Sequence, residues 1–178
     1  MKILVGVTGA SGMIYAKHLL KALGKEASVI ISESGKKVAE IELGEELGKG
    51  AAEVFDNKDL AAKPASGSSR YDAMVIVPCS MKTLGAIANG ISDNLITRAA
   101  DAMLKQEKKV ILVTRETPLS LVHLRNMVAA KEAGASILPA CPGFYQKPKK
   151  IEDLADFIAG RVLELLGKEH SLYKRWGE

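Results

Sequence analysis

The chain has 178 residues, of which 47% are hydrophobic and 26% charged, a composition typical of one globular domain rather than of a disordered, fibrous or membrane protein. Its formal net charge is +4 and only 4% of its residues are aromatic, which disfavours nucleic-acid binding because few rings are available to stack on bases. The apolar run at residues 1–7 is far shorter than the roughly 20 residues of a membrane helix.

The two cysteines, Cys79 and Cys141, predict a reducing, cytoplasmic setting. They are too few for a disulfide framework, and neither belongs to a Cys-x-x-Cys or Cys/His cluster, so no structural zinc is expected. The run at 1–7 leads into a glycine-rich turn instead of a small-residue cleavage site. This pattern predicts a first strand rather than a signal peptide.

In chain order, apolar runs predict strands at 2–7, 27–31, 73–77, 110–114 and 136–139, and helical patterns lie at 13–23, 95–105, 121–133 and 151–166. The strands are apolar at nearly every position, as expected when both faces of a parallel sheet are covered. The alternation predicts an α/β fold, a three-layer doubly wound parallel sheet, in a single domain spanning residues 1–178.

Candidate helix-capping residues mark the ends of these helices. Gly24, Gly134 and Gly167 follow three of them, where a left-handed C-cap favours glycine, and Ser92 and Asp93 are predicted to cap the helix at 95. The stretch 56–70 has no helical or strand period. It is longer than most connections in a compact domain, which predicts a functional loop.

Small residues form the junction between the first strand and the first helix: Thr8, Gly9, Ala10, Ser11 and Gly12. Such a junction lets the backbone approach a ligand, and free N–H groups at a helix start attract an anion. The glycine spacing differs from the dinucleotide fingerprint, which weakens an NAD prediction. A tight turn without a ligand is the alternative.

A second junction, Pro78-Cys79-Ser80-Met81-Lys82-Thr83, follows the third apolar run. Ligands of open α/β sheets bind outside the carboxyl ends of the strands, so the Ser80 and Thr83 hydroxyls are candidates for holding phosphate or ribityl oxygens. Helix capping by Ser80 is an equally good interpretation. Cys79 is predicted to lie in the core.

Four cationic residues stand in or beside apolar segments: Arg98, Lys105, Arg115 and Arg161. Arg115 follows the strand at 110–114, so its guanidinium is predicted to reach the crevice, where its fork matches a phosphate. A solvated or salt-bridged surface role is the alternative for each. Glu116 either pairs with a lysine or moves a proton. The three histidines are predicted to be structural or surface residues.

Seven short strings, in order along the whole chain, resemble the UbiX/Pad family of flavin prenyltransferases: TGASG at 8–12, PASGSS at 64–69, PCS at 78–80, LITRAAD at 95–101, RETPL at 115–119, PGFY at 142–145 and RWGE at 175–178. Each string alone is weak, but seven in sequence with compatible spacing are specific. The resemblance implies a flavodoxin-like Rossmann fold assembled as a homododecamer, with FMN at a subunit interface.

The reaction implied by the resemblance joins a dimethylallyl group to N5 and then C6 of reduced FMN. The donor would be dimethylallyl phosphate, or the diphosphate in some members. The product, prenylated FMN, would pass to a UbiD-type decarboxylase, and no metal is expected.

The resemblance also assigns residues. The family's FMN contacts fall on Gly9, Ala10, Ser11, Ser32, Ser80, Met81, Lys82, Thr83 and Arg115. Its prenyl-phosphate contacts fall on Tyr145 and Arg161, with Arg98, Lys105 and Arg115 at cationic positions near the same phosphate. Catalytic roles are implied for Ser11, Glu42, Lys105, Glu116 and Tyr145, the two glutamates being tied to proton handling. Arg175 and Trp176 match a closing C-terminal segment.

The sequence departs from the family pattern at Leu60, where some members carry a tryptophan shortly before PASGSS. An aliphatic side chain offers no π face, so the expected difference concerns the prenyl donor and not FMN binding. Two other functions are compatible with this fold. A cysteine decarboxylase of the sister group needs a catalytic histidine and an Asn/Met-rich signature not found here, and a non-catalytic FMN carrier would have no use for Lys105, Tyr145 and Arg161.

Overall fold

Six parallel strands form one sheet in the computed structural model, which describes residues 1–177. The strands are β1 (Ile3–Val7), β2 (Ala27–Ile31), β3 (Glu53–Asp56), β4 (Ala73–Cys79), β5 (Lys109–Thr114) and β6 (Ser136–Pro139). Their order is β3-β2-β1-β4-β5-β6, and every neighbouring pair is parallel. The order reverses between β1 and β4, the position where such sheets form a ligand crevice beyond their carboxyl ends.

Six α-helices connect the strands and cover both faces of the sheet. They are α1 (Met13–Leu23), α2 (Glu33–Leu43), α3 (Met81–Ala88), α4 (Leu95–Leu104), α5 (Leu121–Glu132) and α6 (Ile151–Leu165). Helices α1, α2 and α6 pack on one face, and α3, α4 and α5 on the other. The predicted three-layer, doubly wound Rossmann fold is therefore confirmed.

Alternate residues of the central strand β1 enter two separate apolar layers. Ile3 and Val5 pack with α1 and α6, whereas Leu4 packs on the opposite face with Met74 and Ile76 of β4. All five residues of β1 are buried. This explains why the strand sequence is apolar throughout instead of alternating.

Helices α1 and α6 form the main helix–helix contact of the first layer. Helix α1 buries one stripe at helical spacing, made of Met13, Ala16, Leu19 and Leu23. The layer is completed by the α6 residues Phe157, Ile158, Val162 and Leu163. A polar link joins the two helices as well, since His18 Nδ1 and Asp156 Oδ1 lie 2.6 Å apart.

Several predicted boundaries need correction. The edge strand β3 was not predicted, because three of its four residues are exposed and it carries no buried apolar run. Strand β4 continues through Pro78 to Cys79, and Cys79 is fully buried, as predicted. Helix α4 is capped by Asn94, in a reciprocal capping box with Thr97, and not by Ser92 or Asp93.

The segment between β3 and β4 runs from the carboxyl edge of the sheet, where each strand ends, to its amino edge, where each strand begins. Near the carboxyl edge, the carbonyl of Asn57 accepts a hydrogen bond from the N–H of Leu95 at 2.9 Å, and its side-chain oxygen accepts one from Ile96 at 3.0 Å. This segment therefore fixes the start of α4. Among residues 1–177, no helix is long and apolar enough to cross a membrane.

Candidate functional site

Thr8 ties the two strand-to-helix junctions together at the carboxyl edge. Its buried hydroxyl donates to the carbonyl of Pro78 at 2.8 Å and accepts from the N–H of Ser80 at 2.8 Å. The two small-residue junctions predicted separately therefore lie side by side. The hydrogen bonds of Thr8 are satisfied within the protein, which leaves the neighbouring groups free to face a ligand.

The backbone at Gly9 approaches the start of α2 closely. A Cβ placed on Gly9 would lie 2.5 Å from Cβ and Oγ of Ser34, so no larger residue fits. Ser32 caps α2, because its Oγ accepts from the N–H of Gly35 at 3.0 Å, and it lies 3.2 Å from the Ser34 hydroxyl. Helix α2 thus brings two further hydroxyls beside the first junction.

Ser80 caps α3, which realises one of its two predicted roles. Its Oγ accepts from the N–H of Thr83 at 3.3 Å and lies 3.1 Å from the Thr83 hydroxyl. Thr83 is buried, Met81 is half-buried and Lys82 is exposed. The cap does not use every lone pair of the Ser80 hydroxyl, so it remains able to contact a ligand.

These groups line a cavity of about 270 Å³ at the carboxyl edge. Its wall includes Thr8, Gly9, Ser32, Ser80, Lys82 and Thr83. Ligand pockets usually measure about 300 to 1,000 Å³. Three larger concavities of about 510, 690 and 470 Å³ lie at the amino edge, beside α2 and β3, and before the start of α6, but none of them contains either of the two small-residue junctions. We assign the site to the smaller cavity because polar groups from three elements converge on it.

Glu42, near the end of α2, caps the first helix from outside. Its carboxylate accepts from the N–H of Gly12 at 3.0 Å and from that of Met13 at 2.8 Å, whereas α1 has no side-chain cap of its own. Burial raises the pKa of Glu42, but hydrogen bonds from the Ser11 hydroxyl and from these N–H groups outweigh it and hold the pKa below its usual value. Glu42 is therefore an ionised carboxylate at the start of α1.

Arg115 follows β5 and lies beside the same helix start. Its backbone N–H donates to the carbonyl of Cys79 at 3.3 Å, and its Cγ would lie 3.9 Å from a Cβ on Gly12. Its charge also helps to lower the pKa of Glu42. Burial raises the pKa of nearby Tyr15, and Arg115 opposes that shift. Arg115 thus places a cation at the end of the crevice, where it was predicted.

The neighbouring Glu116 is exposed. Its carboxylate accepts a local hydrogen bond of 2.9 Å from the N–H of Thr117. Within the described part of the chain, Glu116 forms no ion pair, so the predicted pairing with a lysine is not observed. Of the two glutamates tied to proton handling, only Glu42 contacts the first junction.

Tyr145 lies in an aromatic cluster that the C-terminal segment completes. Its ring centroid is 5.2 Å from that of Trp176 and 5.9 Å from that of Phe157, both at edge-to-face angles. Phe157 lies in turn 4.8 Å from Tyr173. The RWGE string therefore reaches the PGFY string, although its last residue, Glu178, lies outside the described residues.

Arg161 forms an ion pair with Glu164 on the next turn of α6. The same carboxylate accepts from the Tyr173 hydroxyl at 2.8 Å, so Arg161 is connected to the C-terminal segment. Burial raises the pKa of Glu164, but the Tyr173 hydroxyl and the Arg161 charge outweigh it and lower the pKa. Glu164 was missed from the sequence; its position three residues after Arg161 on one helix face was the available signal.

Arg98 lies one turn from the start of α4, and Lys105 lies at the other end of the same helix. Arg98 pairs with Asp101 at 3.7 Å, and Lys105 is exposed at the end of α4, where its Cε would lie 3.4 Å from a Cβ on Gly67. Lys105 precedes β5 and Arg115 follows it, so they stand at opposite edges of the sheet, about 20 Å apart along a strand of six residues. One chain therefore does not gather all the predicted phosphate contacts.

Leu60 lies in the segment between β3 and β4 and is half exposed, at 48%. Its aliphatic side chain is accessible at the position where some members of the family carry a tryptophan. Among residues 1–177, no group of three or more His, Cys, Asp or Glu side chains has an arrangement that could hold a metal ion.

Known proteins resemble this chain over nearly its full length. Residues 1–163 match the family model described as Flavoprotein. The chain is 50% identical over 182 residues to the flavin prenyltransferase UbiX of Methanocaldococcus jannaschii, with 99% of each chain covered. The crystal structure of AnUbiX (PadA1) in complex with FMN and dimethylallyl pyrophosphate has a TM-score of 0.94 and 42% identity, covering 99% of this chain and 97% of that one.

A second solved structure is described as a dodecameric FMN-dependent UbiX-like decarboxylase from Escherichia coli O157:H7. It has a TM-score of 0.96 and 39% identity, and all of both chains is covered.

Proposed function

The chain belongs to the UbiX family of flavin prenyltransferases, and on that premise we propose that it transfers a dimethylallyl group from dimethylallyl phosphate to N5 and C6 of reduced FMN. The observation that carries the proposal is the pair of junctions joined by Thr8, which places two helix starts and several hydroxyls around one cavity. We further propose that residues 1–178 act as a single flavoprotein domain.

The residues at the cavity fit FMN. Gly9 leaves no room for a side chain, which suits a backbone that must lie against a ligand, and N–H groups at a helix start suit a phosphate. We assign FMN binding to Gly9, Ala10, Ser11, Ser32, Ser80, Met81, Lys82, Thr83 and Arg115. Reduced FMN, when bound, supplies the nucleophilic nitrogen and carbon that accept the prenyl group.

The phosphate of the donor is assigned to Tyr145, Arg161 and Arg115. A departing phosphate gains negative charge, and cations fixed in a partly desolvated site stabilise that charge more than water does. The rings of Tyr145 and Trp176 meet at 5.2 Å and offer apolar surface that excludes water and π faces that attract an allylic cation.

Proton handling is assigned to Ser11 and Glu42. Ser11 directly precedes Gly12, whose N–H donates to the Glu42 carboxylate at 3.0 Å, and we propose that Glu42 takes a proton that reaches Ser11 Oγ. The lowered pKa of Glu42 keeps this carboxylate ionised, and it also makes the carboxylate a weaker base. Glu116, whose carboxylate accepts from the N–H of Thr117 within its own chain, is proposed as the second proton-handling residue.

Arg98 and Lys105 are proposed to act across a subunit interface. Lys105 stands at the edge of the sheet opposite Arg115 in its own chain, and Arg98, one turn from the start of α4, pairs with Asp101 and does not line the cavity. The cavity of one chain is small for a flavin, and a similar chain is dodecameric. Apolar side chains on α5 are exposed as well, at 61% for Leu121 and 62% for Val122, which supports burial against another copy. We propose a homo-oligomer, a dodecamer, whose neighbouring chains complete each site.

The free thiols support a cytoplasmic location, and the product is proposed to serve a UbiD-type decarboxylase. The direct test of the reaction is anaerobic incubation of the purified protein with reduced FMN and dimethylallyl phosphate, followed by mass spectrometry of the extracted flavin. A mass gain of one C5 unit is expected. Unmodified flavin from protein that binds FMN, with either the phosphate or the diphosphate donor, would refute the prenyltransferase proposal.

The shared site has its own test. Arg115→Ala and Lys105→Ala should each be nearly inactive. Dissociating, mixing and reassembling the two variants should restore activity, because roughly a quarter of randomly paired sites would receive both native residues. Mixtures as inactive as the separate variants would place both residues in the same chain's site.

A further inference from the structure

The Glu164 carboxylate uses its two oxygens for two different tasks. Oε2 pairs with Arg161, whereas Oε1 accepts from the Tyr173 hydroxyl at 2.8 Å and lies 3.5 Å from Nε of Arg175. Oε1 is also 3.4 Å from Nε2 of His170, a buried nitrogen that makes no hydrogen bond among the described residues. One side chain of α6 thus contacts the phosphate-binding arginine and three residues of the C-terminal segment.

His170 is oriented toward Glu164 by the backbone. The N–H of Leu172 donates to Nδ1 of His170 at 3.2 Å, so Nδ1 is an acceptor and the ring proton is on Nε2, which faces the carboxylate. The His170 side chain is only 3% exposed. Its position is therefore fixed by packing, and not by a surface contact alone.

Helix α6 is shaped to receive this segment at Gly160. A Cβ on Gly160 would lie 2.5 Å from the Tyr173 ring and 2.7 Å from the His170 ring. Glycine inside a helix costs about 1 kcal/mol relative to alanine, so its presence here fits a requirement for space. The segment 170–173 occupies the surface that this missing side chain leaves open.

The contacts continue from this docking point to the assigned donor site. Tyr173 packs on Phe157 with ring centroids 4.8 Å apart, and Phe157 packs on Tyr145 at 5.9 Å. Trp176, three residues beyond Tyr173, also packs on Tyr145, with ring centroids 5.2 Å apart. A displacement of the segment at Tyr173 therefore moves the ring that covers Tyr145.

We propose that Glu164 is a positioning residue for prenyl-donor binding, holding Arg161 and the C-terminal segment 170–176 in one fixed arrangement. It touches neither the flavin nor the donor in this assignment. It acts by directing the Arg161 guanidinium and by placing Trp176 against Tyr145. This inference rests on the proposed function for its donor and deepens it by naming what organises the donor side of the site.

The test compares Glu164→Gln with Glu169→Gln, both as full chains loaded with oxidised FMN. Glu169 is a matched control because it is 94% exposed and contacts Arg175 of the same segment at 3.6 Å, but it does not contact Arg161. Two quantities are measured: hydrogen exchange of the peptide spanning 168–177, and the calorimetric affinity for dimethylallyl phosphate, which does not depend on turnover. Glu164→Ala gives a second variant that removes every contact of the carboxylate.

The expected result for Glu164→Gln is about tenfold faster exchange in the segment and about tenfold weaker donor binding, the effect of losing one charge-assisted contact. Affinity for FMN should stay unchanged, and in turnover the KM for the donor should rise more than kcat falls. Glu169→Gln should match the wild type in segment exchange, donor affinity and KM. Glu164→Ala should show faster exchange and weaker donor binding than Glu164→Gln.

The inference would be overturned if Glu164→Gln and Glu164→Ala both kept the wild-type exchange rate or the wild-type donor affinity. It would also be overturned if Glu169→Gln changed these two quantities as much as Glu164→Gln does. A wild-type protein that binds FMN but no dimethylallyl phosphate would instead refute the proposed function. In that case segment exchange alone would decide whether Glu164 holds the C-terminal segment.

Discussion

The carboxylate of Glu42 lies 2.8 Å from the backbone nitrogen of Met13, so the last turn of α2 caps the first turn of α1. An N-terminal cap is worth about 1 kcal/mol, and solvent screening keeps this partly exposed one near that value. We expect Glu42→Gln to lower the thermal midpoint by about 3 °C at pH 7, measured by calorimetry at one fixed protein concentration. Glu40→Gln, an exposed change on the same helix, should leave it unaltered.

The Glu42 contribution should also depend on pH in a defined direction. Its pKa is lowered in the folded protein, so its stabilising effect is complete above the unfolded glutamate pKa of about 4.3 and is lost as pH falls through the lower folded value. The difference in thermal midpoint between wild type and Glu42→Gln should therefore be constant from pH 7 to about 5 and shrink below about 4. A difference that grows in acid would contradict the assignment.

Thr8→Val should loosen the connection between β1 and β4. The substitution keeps the shape but removes both hydrogen bonds of the hydroxyl and leaves the N–H of Ser80 without its partner. An unpaired buried donor costs about 1 to 3 kcal/mol, so a lower unfolding midpoint in urea and weaker FMN binding are both expected. Thr117→Val, at an exposed threonine, is the matched control, and wild-type FMN affinity in Thr8→Val would argue against the assigned cavity.

The Tyr145→Phe variant distinguishes the role of the Tyr145 hydroxyl from that of its ring, because it removes only the hydroxyl. The ring contacts with Phe157 and Trp176 are retained, and within residues 1–177 no protein group hydrogen-bonds to the hydroxyl. We expect unchanged stability and FMN affinity, with donor binding about fivefold weaker, because one neutral hydrogen bond contributes about 1 kcal/mol. Calorimetric titration checks both ligands. Tyr71→Phe, at the amino edge, should bind the donor normally, and equal losses in both variants would count against a phosphate contact.

The two thiols should differ in reactivity. Burial raises the pKa of the Cys79 thiol to about 12, whereas Cys141 is exposed near the end of β6. Titration of the native protein with a chromogenic disulfide should therefore modify Cys141 alone, and denaturant should release Cys79. The Cys141→Ser variant should show no fast phase. Rapid reaction of both thiols in the native state would mean that the carboxyl end of β4 opens readily.

Strands and helix ends could be predicted where a short stretch of the sequence carries the signal by itself. The central strands were predicted because nearly every residue in them is apolar. The helix ends at Gly24, Gly134 and Gly167 were located within one residue, and each of these glycines has a positive φ. Strand β3 was missed for the opposite reason. It lies at the sheet edge, where one partner strand and exposed side chains leave no continuous apolar run.

Single residues of the candidate site could be predicted from the sequence, but the contacts between them could not. Arg115 follows a strand and was placed correctly at the carboxyl edge, since parallel strands all end there. The contacts of Glu42 with Met13 and of Glu164 with Tyr173 depend on how separate elements pack, which no spacing along the chain reveals. The separation of Lys105 from Arg115 likewise became visible only when the direction of β5 was known.

The packing of α1 against α6 has a consequence for the order in which the protein is made. Helix α1 leaves the ribosome early with the apolar stripe of Met13, Ala16 and Leu19, but the helix that covers this stripe is synthesised after all six strands. During translation the nascent chain therefore exposes this surface until Phe157 and Val162 have emerged. Stalled chains that end before α6 should be preferred clients of chaperones that bind apolar helices.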